Sequence, residues 1–222
     1  MSNPEVTILF EDTQVLVISK PAGLLSQGEH RGDPNVVDWA RAYLGRNYVG
    51  LIHRLDRNTS GAMILAKRSK AAQRLTEQLQ EGTLTRKYLA WLEGTLKDAA
   101  TWKHLLLKDP RTNRVRVLKS GSERSSEKPK EAVLSLRPLK SGVWKSQPLT
   151  LAEFKLETGR SHQIRVQAAA EGFPLLGDPK YGSGKTLDFG RPALHSIELQ
   201  FKHPISGELL TFEAPLAPDM KL

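Results

Sequence analysis

Short apolar segments separated by polar turns run along most of the chain, a pattern that predicts many short strands. Residues 5–10 and 14–20 flank the turn-like tripeptide Glu11-Asp12-Thr13, so we expect them to pair as a hairpin. Residues 109–113, with Asp, Pro and Asn, predict the loop of a second hairpin. The remaining predicted strands are residues 62–67, 83–92, 103–107, 114–119, 132–137, 149–157, 193–201 and 208–213.

Three segments have helical spacing instead. The first follows Asp33-Pro34-Asn35 and ends before Gly45, an early proline and a closing glycine being typical helix boundaries. The second covers residues 69–81 with Ser69 as its expected cap, and the third covers residues 161–171. Many strands and few helices predict an α+β fold: a mixed, mostly antiparallel sheet with a few flanking helices. We expect residues 1–222 to form a single domain.

Composition excludes several classes of protein. The chain has 222 residues, of which 39% are hydrophobic and 26% charged, so disorder is not expected. Cysteine is absent, which excludes disulfides, thiol nucleophiles, Cys-based metal sites and the zinc nucleobase deaminases. The first residues lack the features of a signal peptide, and no apolar run reaches membrane-spanning length. We therefore expect a cytoplasmic protein that does not enter a membrane.

The net charge of +9 indicates a polyanionic partner such as nucleic acid. The same charge could serve only to keep the protein soluble, and composition does not decide between the two.

The densest polar cluster is the segment HRLDRNTSG at residues 53–61, between the apolar residues 49–52 and 62–65. Such a loop, anchored at both ends in buried strands, is a common place for functional residues. Asp56 lies between Arg54 and Arg57, and neighbouring positive charge favours an ionised carboxylate. The alternative is a surface turn in which Asp56 caps the amides of Thr59 or Ser60.

Residues 53–61 resemble the H-R-L-D-R-x-T-S-G signature of the RluA-type family of RNA pseudouridine synthases. Further family motifs follow in the family's order over nearly the whole chain. They are similar to residues 17–23 (VISKPAG), 86–90 (RKYLA), 156–165 (LETGRSHQIR), 177–182 (GDPKYG), 194–196 (LHS) and 203–204 (HP).

The resemblance implies the pseudouridine synthase fold and an isomerase that converts a uridine of RNA to pseudouridine. It places the single essential aspartate at Asp56, with Arg165 as its arginine partner. The active-site tyrosine corresponds to Tyr88, whose ring would stack on uracil and whose hydroxyl could move the C5 proton. A carboxylate that attacks carbon must be unprotonated and fixed in place, which fits this grouping.

The resemblance also implies contacts to RNA. The target base must leave its stack, at a cost of about a few kcal/mol. Arg54 corresponds to the residue that enters the vacated stack, and Val166 to the one that packs on the flipped base. We expect His53 to orient the loop. The remaining predicted RNA-binding or loop-supporting residues are Lys20, Arg57, Arg160 and His162.

The expected partner is structured RNA, ribosomal or transfer, and the expected state is a monomer without metal, nucleotide or organic cofactor. The segment Ser183-Gly184-Lys185-Thr186 is not a P-loop, because Pro179 stands where the motif requires glycine. The histidines show no metal-binding spacing. We expect the basic residues 119–130 to form a mobile loop, and no accessory S4-type domain at the N-terminus.

Several alternatives stay open at this point. Asp56 could attack C6 of the base, attack C1′ of the ribose, or abstract a ribose proton. Asn58 and Gln167 stand where family members commonly carry Asp and His, which predicts altered local hydrogen bonds rather than lost activity. A rival hypothesis is an inactive RNA-binding or RNA-folding protein, which would have no need of Asp56, Tyr88 and Arg165 together.

Overall fold

A computed structural model describes residues 5–28, 30, 32–118 and 128–222. The chain divides into two compact units. The first unit comprises Met1–Tyr88 with Leu194–Lys221, and the second comprises Leu89–Ala193 with Leu222. A single domain over residues 1–222 stays a prediction, since compact units also occur within one domain.

The first unit is a mainly antiparallel set of strands with two helices. The strands are β1 (Thr7–Glu11), β2 (Val15–Lys20), β3 (Gly50–Leu51), β4 (Ser60–Ala66), β10 (Leu194–Lys202) and β11 (Leu209–Glu213). Their order is β1-β2-β4-β10-β11, with β3 paired to β4. Only the short β4–β10 pairing among these is parallel. The helices are α1 (Val36–Leu44) and α2 (Ser69–Glu81). The predicted first hairpin, β1–β2, is confirmed.

Both helices have the boundaries that the sequence signals predict, but the cap of α2 differs. Asn35 accepts a hydrogen bond from the Asp38 amide at the start of α1, and Gly45 ends it at φ 60°. In α2, Ser69 is already the first helical residue, and the capping position belongs to Arg68, whose side chain makes no capping hydrogen bond. The prediction of Ser69 as cap was therefore wrong by one residue.

The core of the first unit lies under β2 and β4. All seven residues of β4 are buried, which fits its continuous apolar sequence. Ile64 packs with Val17, Leu75 of α2 and Phe201 of β10 in one hydrophobic cluster. This core fixes the two ends of β4, and the polar loop at residues 53–59 enters β4 directly.

The second unit is antiparallel with one helix. Its strands are β6 (Ala100–Asp109), β7 (Arg114–Val117), β8 (Lys130–Trp144) and β9 (Gln147–Leu156), and its helix is α3 (Gln163–Ala170). The strand order is β9-β8-β6-β7, and the predicted 109–113 hairpin loop joins β6 to β7. Strand β5 (Thr85–Glu93) begins in the first unit and continues into the second.

Strand β8 is much longer than the predicted residues 132–137. Pro138 suggests a break in sequence, because proline cannot donate to a sheet. The strand instead passes Pro138 with a shift in register against β9 and continues to Trp144. Lys145 and Ser146 then adopt positive φ angles of 44° and 68°, which close a tight turn into β9.

The fold class is α+β, as predicted: a mixed, mostly antiparallel arrangement of strands with three helices among the described residues. The rejected P-loop is followed by a short 3-10 helix, Leu187–Phe189. A second 3-10 helix, Pro218–Met220, lies near the C-terminus. The predicted mobile loop at 119–130 lies largely outside the described residues, and Lys130 begins β8. Within the described ranges, no helix has the length and apolar character that crossing a membrane requires.

Candidate active site

The polar loop at residues 53–59 is tied to its own unit by the buried ammonium of Lys20. This side chain is fully buried, and Nζ donates to the carbonyl oxygens of Pro21 at 2.9 Å, Leu24 at 2.7 Å and Arg57 at 3.1 Å. The Gly23 amide donates to the same Arg57 carbonyl at 2.8 Å. A buried ammonium needs such partners, and three carbonyls satisfy its three protons. Lys20 therefore fixes the backbone beside Asp56.

The other end of the loop is fixed where β4 meets β10. Ser60 and Gly61 lie opposite His195 and Ser196, and Ser60 Oγ hydrogen-bonds His195 Nδ1 at 2.8 Å. Gly61 has φ 112°, and a Cβ atom there would collide with the main chain of Ser196. Only glycine permits this backbone conformation and this close approach. The junction thus holds Ser196 next to the end of the loop.

Asp56 occupies a turn inside this frame. It is partly buried, and its main-chain carbonyl accepts a hydrogen bond from the Thr59 amide at 3.0 Å. Backbone atoms therefore close the turn. The Asp56 carboxylate lies near enough to the phenol of Tyr88 to raise the pKa of that phenol.

Tyr88 lies on β5 with Arg86 on the same face, and both side chains are buried. Burial raises the pKa of the Tyr88 phenol, the Arg86 guanidinium lowers it, and the Asp56 carboxylate raises it again. Hydrogen-bonding influences of Ser196 and Arg86 also lower the pKa, yet the net shift is upward. Tyr88 is therefore a protonated hydroxyl at neutral pH, next to a carboxylate.

Three buried polar atoms near Tyr88 have no hydrogen-bond partner among the described residues: His53 Nδ1, Arg86 Nε and Ser196 Oγ. Ser196 affects the pKa of Tyr88, but its Oγ lacks hydrogen-bond geometry to any described group. Unsatisfied buried polar atoms are rare because each costs about 1–3 kcal/mol. Because three such atoms lie near Tyr88, packing alone does not explain the polar residues there, and we interpret this region as a candidate binding site for polar groups.

His53 is neutral in this environment. Burial, together with the nearby Arg86 charge, lowers the pKa of His53 to about 3. Its Nε2 accepts from the Ile64 amide at 3.3 Å, which assigns the ring proton to Nδ1. The ring therefore links the loop to β4, consistent with the expected orienting role.

In the second unit, Arg165 forms a buried ion pair with Asp178. Arg165 Nε lies 2.7 Å from Oδ2, and Nη2 lies 2.9 Å from Oδ1. Burial raises the pKa of the Asp178 carboxyl, but the hydrogen bonds and charge of Arg165 outweigh it and hold the pKa below the usual range. The arginine also lies over the ring of Tyr181, 5.3 Å from its centroid.

Tyr181 connects this pair to the β6–β7 hairpin. Its hydroxyl accepts from the Val115 amide at 2.9 Å and shares a 2.8 Å hydrogen bond with His162 Nδ1. His162 is the residue before α3 and adopts φ 53°. Arg114 adds a hydrogen bond from Nη2 to the Lys180 carbonyl.

A groove of about 1470 Å³ lies in the second unit between the β6–β7 hairpin and α3. Its apolar lining includes Val115, Val166 and Ala169. Its charged lining has four cations against one carboxylate, namely Lys108, Arg111, Arg114, Arg116 and Asp109. A lining that combines apolar side chains with an excess of cations suits a polyanionic chain such as nucleic acid.

A family profile described as RNA pseudouridylate synthase matches residues 14–170. An uncharacterized RNA pseudouridine synthase of Bacillus subtilis, YlyB, is 39% identical over 97% of this chain and 71% of its own. Ribosomal large subunit pseudouridine synthase C of Pasteurella multocida is 34% identical over 100% of this chain and 68% of its own. The solved human RNA pseudouridylate synthase domain containing 1 superposes with TM-score 0.80 at 27% identity, covering 98% of this chain and 86% of that one.

The chain belongs to the RNA pseudouridine synthases. It is an isomerase that acts on uridine in RNA. The resemblance inferred from the motifs is confirmed, and so is the fold class that it implied.

The synthase places the sequence-predicted site residues in two groups. Asp56, Tyr88 and Lys20 lie in the first unit together with Arg54 and Arg57, whose side chains are exposed. The first unit thus brings the predicted aspartate and tyrosine together. Because Lys20 is buried against backbone carbonyls, its position favours loop support over phosphate binding.

The other predicted residues of the synthase lie in the second unit. Arg165 is bound to Asp178 there, and its pairing with Asp56 stays a prediction. Val166 is buried in a cluster with Leu106 and also lines the groove. Arg160 is exposed, with Nε bound to the Glu131 carbonyl at 2.8 Å.

Gln167 stands where relatives of the synthase commonly carry histidine. Its Nε2 lies within hydrogen-bond distance of the Trp102 carbonyl at 3.1 Å, the Ala132 carbonyl at 3.3 Å and His104 Nδ1 at 3.0 Å, whereas its buried Oε1 has no hydrogen-bond partner among the described residues. His104 Nε2 in turn lies 3.1 Å from a Glu171 carboxylate oxygen. Altered local hydrogen bonds relative to histidine-bearing relatives stay a prediction at this position.

Sequence analysis did not assign roles to Arg86, Ser196 and Asp178. Arg86 had a usable signal, since it precedes Tyr88 by two residues on a predicted strand and must share its face. Ser196 and Asp178 stood in family motifs but without a stated partner, because their contacts join distant segments. Among the described residues, no group of His, Asp and Glu could hold a metal ion.

Proposed function

We propose that the synthase isomerises a specific uridine in structured RNA, with Asp56 as the catalytic carboxylate and with flipping of the target base. The observation that carries the proposal is the carboxylate of Asp56 beside the buried, protonated phenol of Tyr88. A loop held by Lys20 and by the Ser60–His195 hydrogen bond keeps that carboxylate in place. Fixed geometry of this kind is what nucleophilic and acid–base catalysis require.

The reaction breaks the bond from uracil N1 to ribose C1′ and forms a bond from C5 to C1′. C5 loses its proton and N1 gains one, so the product is an isomer and no co-reactant is needed. Asp56 acts as nucleophile, at C6 or at C1′, or as a base that removes a ribose proton. Tyr88 moves the C5 proton through its hydroxyl. Because its pKa is raised, the phenol rests protonated and must pass one proton on as it accepts another.

We infer Arg165 as the charge partner of Asp56, as the family resemblance implies. Arg165 itself is well prepared for such a role, because Asp178 and Tyr181 already hold its guanidinium in one orientation. Arg54, exposed on the same loop as Asp56, is inferred to occupy the space that the flipped uridine leaves.

The substrate class is inferred to be ribosomal RNA, with transfer RNA as the alternative. Ribosomal large subunit pseudouridine synthases of Pasteurella multocida and Nitrosomonas europaea are 34% and 35% identical to this chain. The basic groove of the second unit is inferred to bind RNA phosphates, which would position the RNA without reading its sequence. A monomeric state, a cytoplasmic location and activity without metal or nucleotide stay predictions.

The test is tritium release from RNA labelled at uracil C5, with RNA from cells that lack the gene as substrate. Wild type should release label, because C5 loses its proton when it bonds to C1′. Asp56→Asn should release none. The matched control, Asp98→Asn, changes an exposed aspartate in the second unit and should release label at the wild-type rate.

Equal release by wild type and Asp56→Asn would contradict the catalytic role of Asp56. If wild type released no label yet still bound the RNA, the rival hypothesis of an inactive RNA-binding protein would replace the proposal.

A further inference from the structure

Asp178 has no role in the reaction as derived so far, yet it makes a bidentate contact with Arg165. We propose that Asp178, assisted by the ring of Tyr181, is a positioning residue that orients the Arg165 guanidinium for uridine isomerisation. This inference rests on the proposed function and extends it to residues that act through Arg165.

The ion pair holds the Arg165 guanidinium through two hydrogen bonds. Two parallel hydrogen bonds, from Nε to Oδ2 and from Nη2 to Oδ1, use one edge of the planar group. A bidentate pair of this geometry restricts rotation of the arginine far more than a single contact would. The remaining nitrogen, Nη1, is not part of the pair and points from the opposite side of the guanidinium.

Asp178 is itself held by the turn that follows it. Its Oδ1 also accepts from the amides of Lys180 at 2.8 Å and Tyr181 at 3.1 Å. The Asp178 carbonyl accepts from the Gly182 amide at 2.9 Å, and a Cβ atom at position 182 would collide with that carbonyl. The Asp178 carboxylate is therefore also oriented by backbone amides of its own turn, independently of Arg165.

Tyr181 limits the guanidinium from its face. The ring centroid lies 5.3 Å from the arginine carbon Cζ, and the Tyr181 hydroxyl is anchored to Val115 and His162. An edge contact and a face contact together leave the guanidinium one orientation. Neither contact comes from α3, the helix that carries Arg165.

Stability alone does not account for this arrangement. Asp178 is 1% and Arg165 8% exposed, so both ions have given up most of their hydration. Buried ion pairs of this kind are often no more stabilising than well-packed apolar side chains. A bidentate carboxylate and a stacked ring are useful where a guanidinium must stay charged and keep one direction.

The experiment compares Asp178→Asn with Thr186→Val in steady-state tritium release from the same C5-labelled RNA. Thr186 is a matched control: it is 1% exposed, accepts from the Gly177 amide at 2.9 Å and does not contact Arg165. Asp178→Asn should lower kcat by about tenfold to a hundredfold with KM within about threefold, because a small misplacement of a catalytic group costs this much. Thr186→Val should keep kcat within about twofold.

A double-mutant cycle distinguishes a positioning role of Asp178 from a purely structural one, because only the positioning role depends on Arg165. In an Arg165→Lys background, Asp178→Asn should cause little further loss of kcat, because a lysine cannot use the bidentate contact. Thermal unfolding of each variant measures how far the fold is affected. If Asp178→Asn does not fold, Asp178→Glu takes its place, with the same expected loss of kcat.

Equal kcat values for Asp178→Asn and Thr186→Val, or a full additional loss in the Arg165→Lys background, would overturn the positioning role while the proposed function stands. Absence of release by wild type would overturn both. The two failures are therefore distinguishable.

Discussion

The surroundings of Tyr88 and those of Arg165 differ in how far their buried polar atoms are hydrogen-bonded. Near Tyr88, His53 Nδ1, Arg86 Nε and Ser196 Oγ have no partner within the described residues. Around Arg165, the Asp178 carboxylate accepts hydrogen bonds from the arginine and from the Lys180 amide, and the Tyr181 ring lies against the guanidinium. Native proteins rarely leave buried polar atoms unpaired, so the contrast is informative.

This difference suggests two roles, binding of substrate near Tyr88 and orientation of a side chain near Arg165. Unpaired donors and acceptors near a carboxylate can receive the polar atoms of a substrate. Contacts to one edge and one face of a guanidinium restrict the direction in which that group points. We accordingly expect Asp56 and Tyr88 of the first unit to carry out the chemistry, and Asp178 of the second unit to orient Arg165 for it.

The largest effect is expected from Tyr88→Phe, which keeps the ring and removes the hydroxyl. This variant tests whether the chemistry takes place near Tyr88. We expect kcat for tritium release to fall at least about 100-fold, because proton transfer by a positioned group contributes about that much. RNA affinity, measured by filter binding, should stay within about twofold, since the ring can still stack. An unchanged kcat would show that the phenol has no part in proton transfer.

A smaller effect is expected from Arg54→Ala, because base flipping costs about a few kcal/mol and only part of that is recovered by this side chain. Release from a structured RNA should slow about tenfold, and release from the same uridine in an unstructured strand should change little. Lys70→Ala, in the first unit but outside the loop, is the control for loss of exposed positive charge. Indistinguishable losses of Arg54→Ala on the two RNAs would contradict the flipping role.

The basic groove is tested by salt dependence rather than by turnover. Lys108→Ala combined with Arg111→Ala removes two exposed cations from its lining. The slope of log K against log salt should become shallower by about 1.4 to 1.8, since each phosphate contact contributes about 0.7 to 0.9.

The matched control for the groove is Lys97→Ala with Lys155→Ala, which removes two exposed cations of the same unit outside the groove. Its slope should stay at the wild-type value. The same change of slope in both double variants would mean that the groove has no special share in RNA binding.

The smallest effect concerns stability through His53. Its folded pKa of about 3 lies below the unfolded value of about 6.5, so between these values only the unfolded state takes up the proton. The contribution of neutral His53 is complete above about pH 6.5 and is lost as the pH falls, by about 1.4 kcal/mol per unit.

Denaturant unfolding of wild type and His53→Gln between pH 4.5 and 6.0 checks this. The free energy of unfolding of the variant should depend less on pH by about that slope, because glutamine does not titrate. Parallel curves for the two proteins would show that His53 is not held neutral.

Local patterns were sufficient for much of the fold. Helix α1 begins after Asn35 and ends before Gly45, as proline, apolar spacing and glycine predict, because these signals act within one turn. Strand β8 was predicted too short, because the apolar run ends at residue 137 and the register shift opposite β9 is not visible in one strand. The cap of α2 was misplaced by one residue, since Ser69 is a preferred capping type and Arg68, which takes that position, carries no capping signal.

The candidate site divides in the same way. Asp56 and Tyr88 were found through family motifs, and their proximity needed the fold. The Arg165–Asp178 pair and the Gly61–Ser196 contact join segments that no periodic pattern relates. Hydrophobic periodicity reports which face is buried, but it carries no information on which buried polar groups meet.

The central claim, that Asp56 of this chain converts uridine to pseudouridine, is tested most directly by mapping pseudouridines in cellular RNA. Cells that lack the gene are complemented with wild type or with Asp56→Asn at equal protein levels. The account predicts that one or a few positions, in ribosomal RNA, lose pseudouridine without the gene and regain it only with wild type. Restoration of those positions by Asp56→Asn, or a pseudouridine map that does not change when the gene is removed, would contradict it.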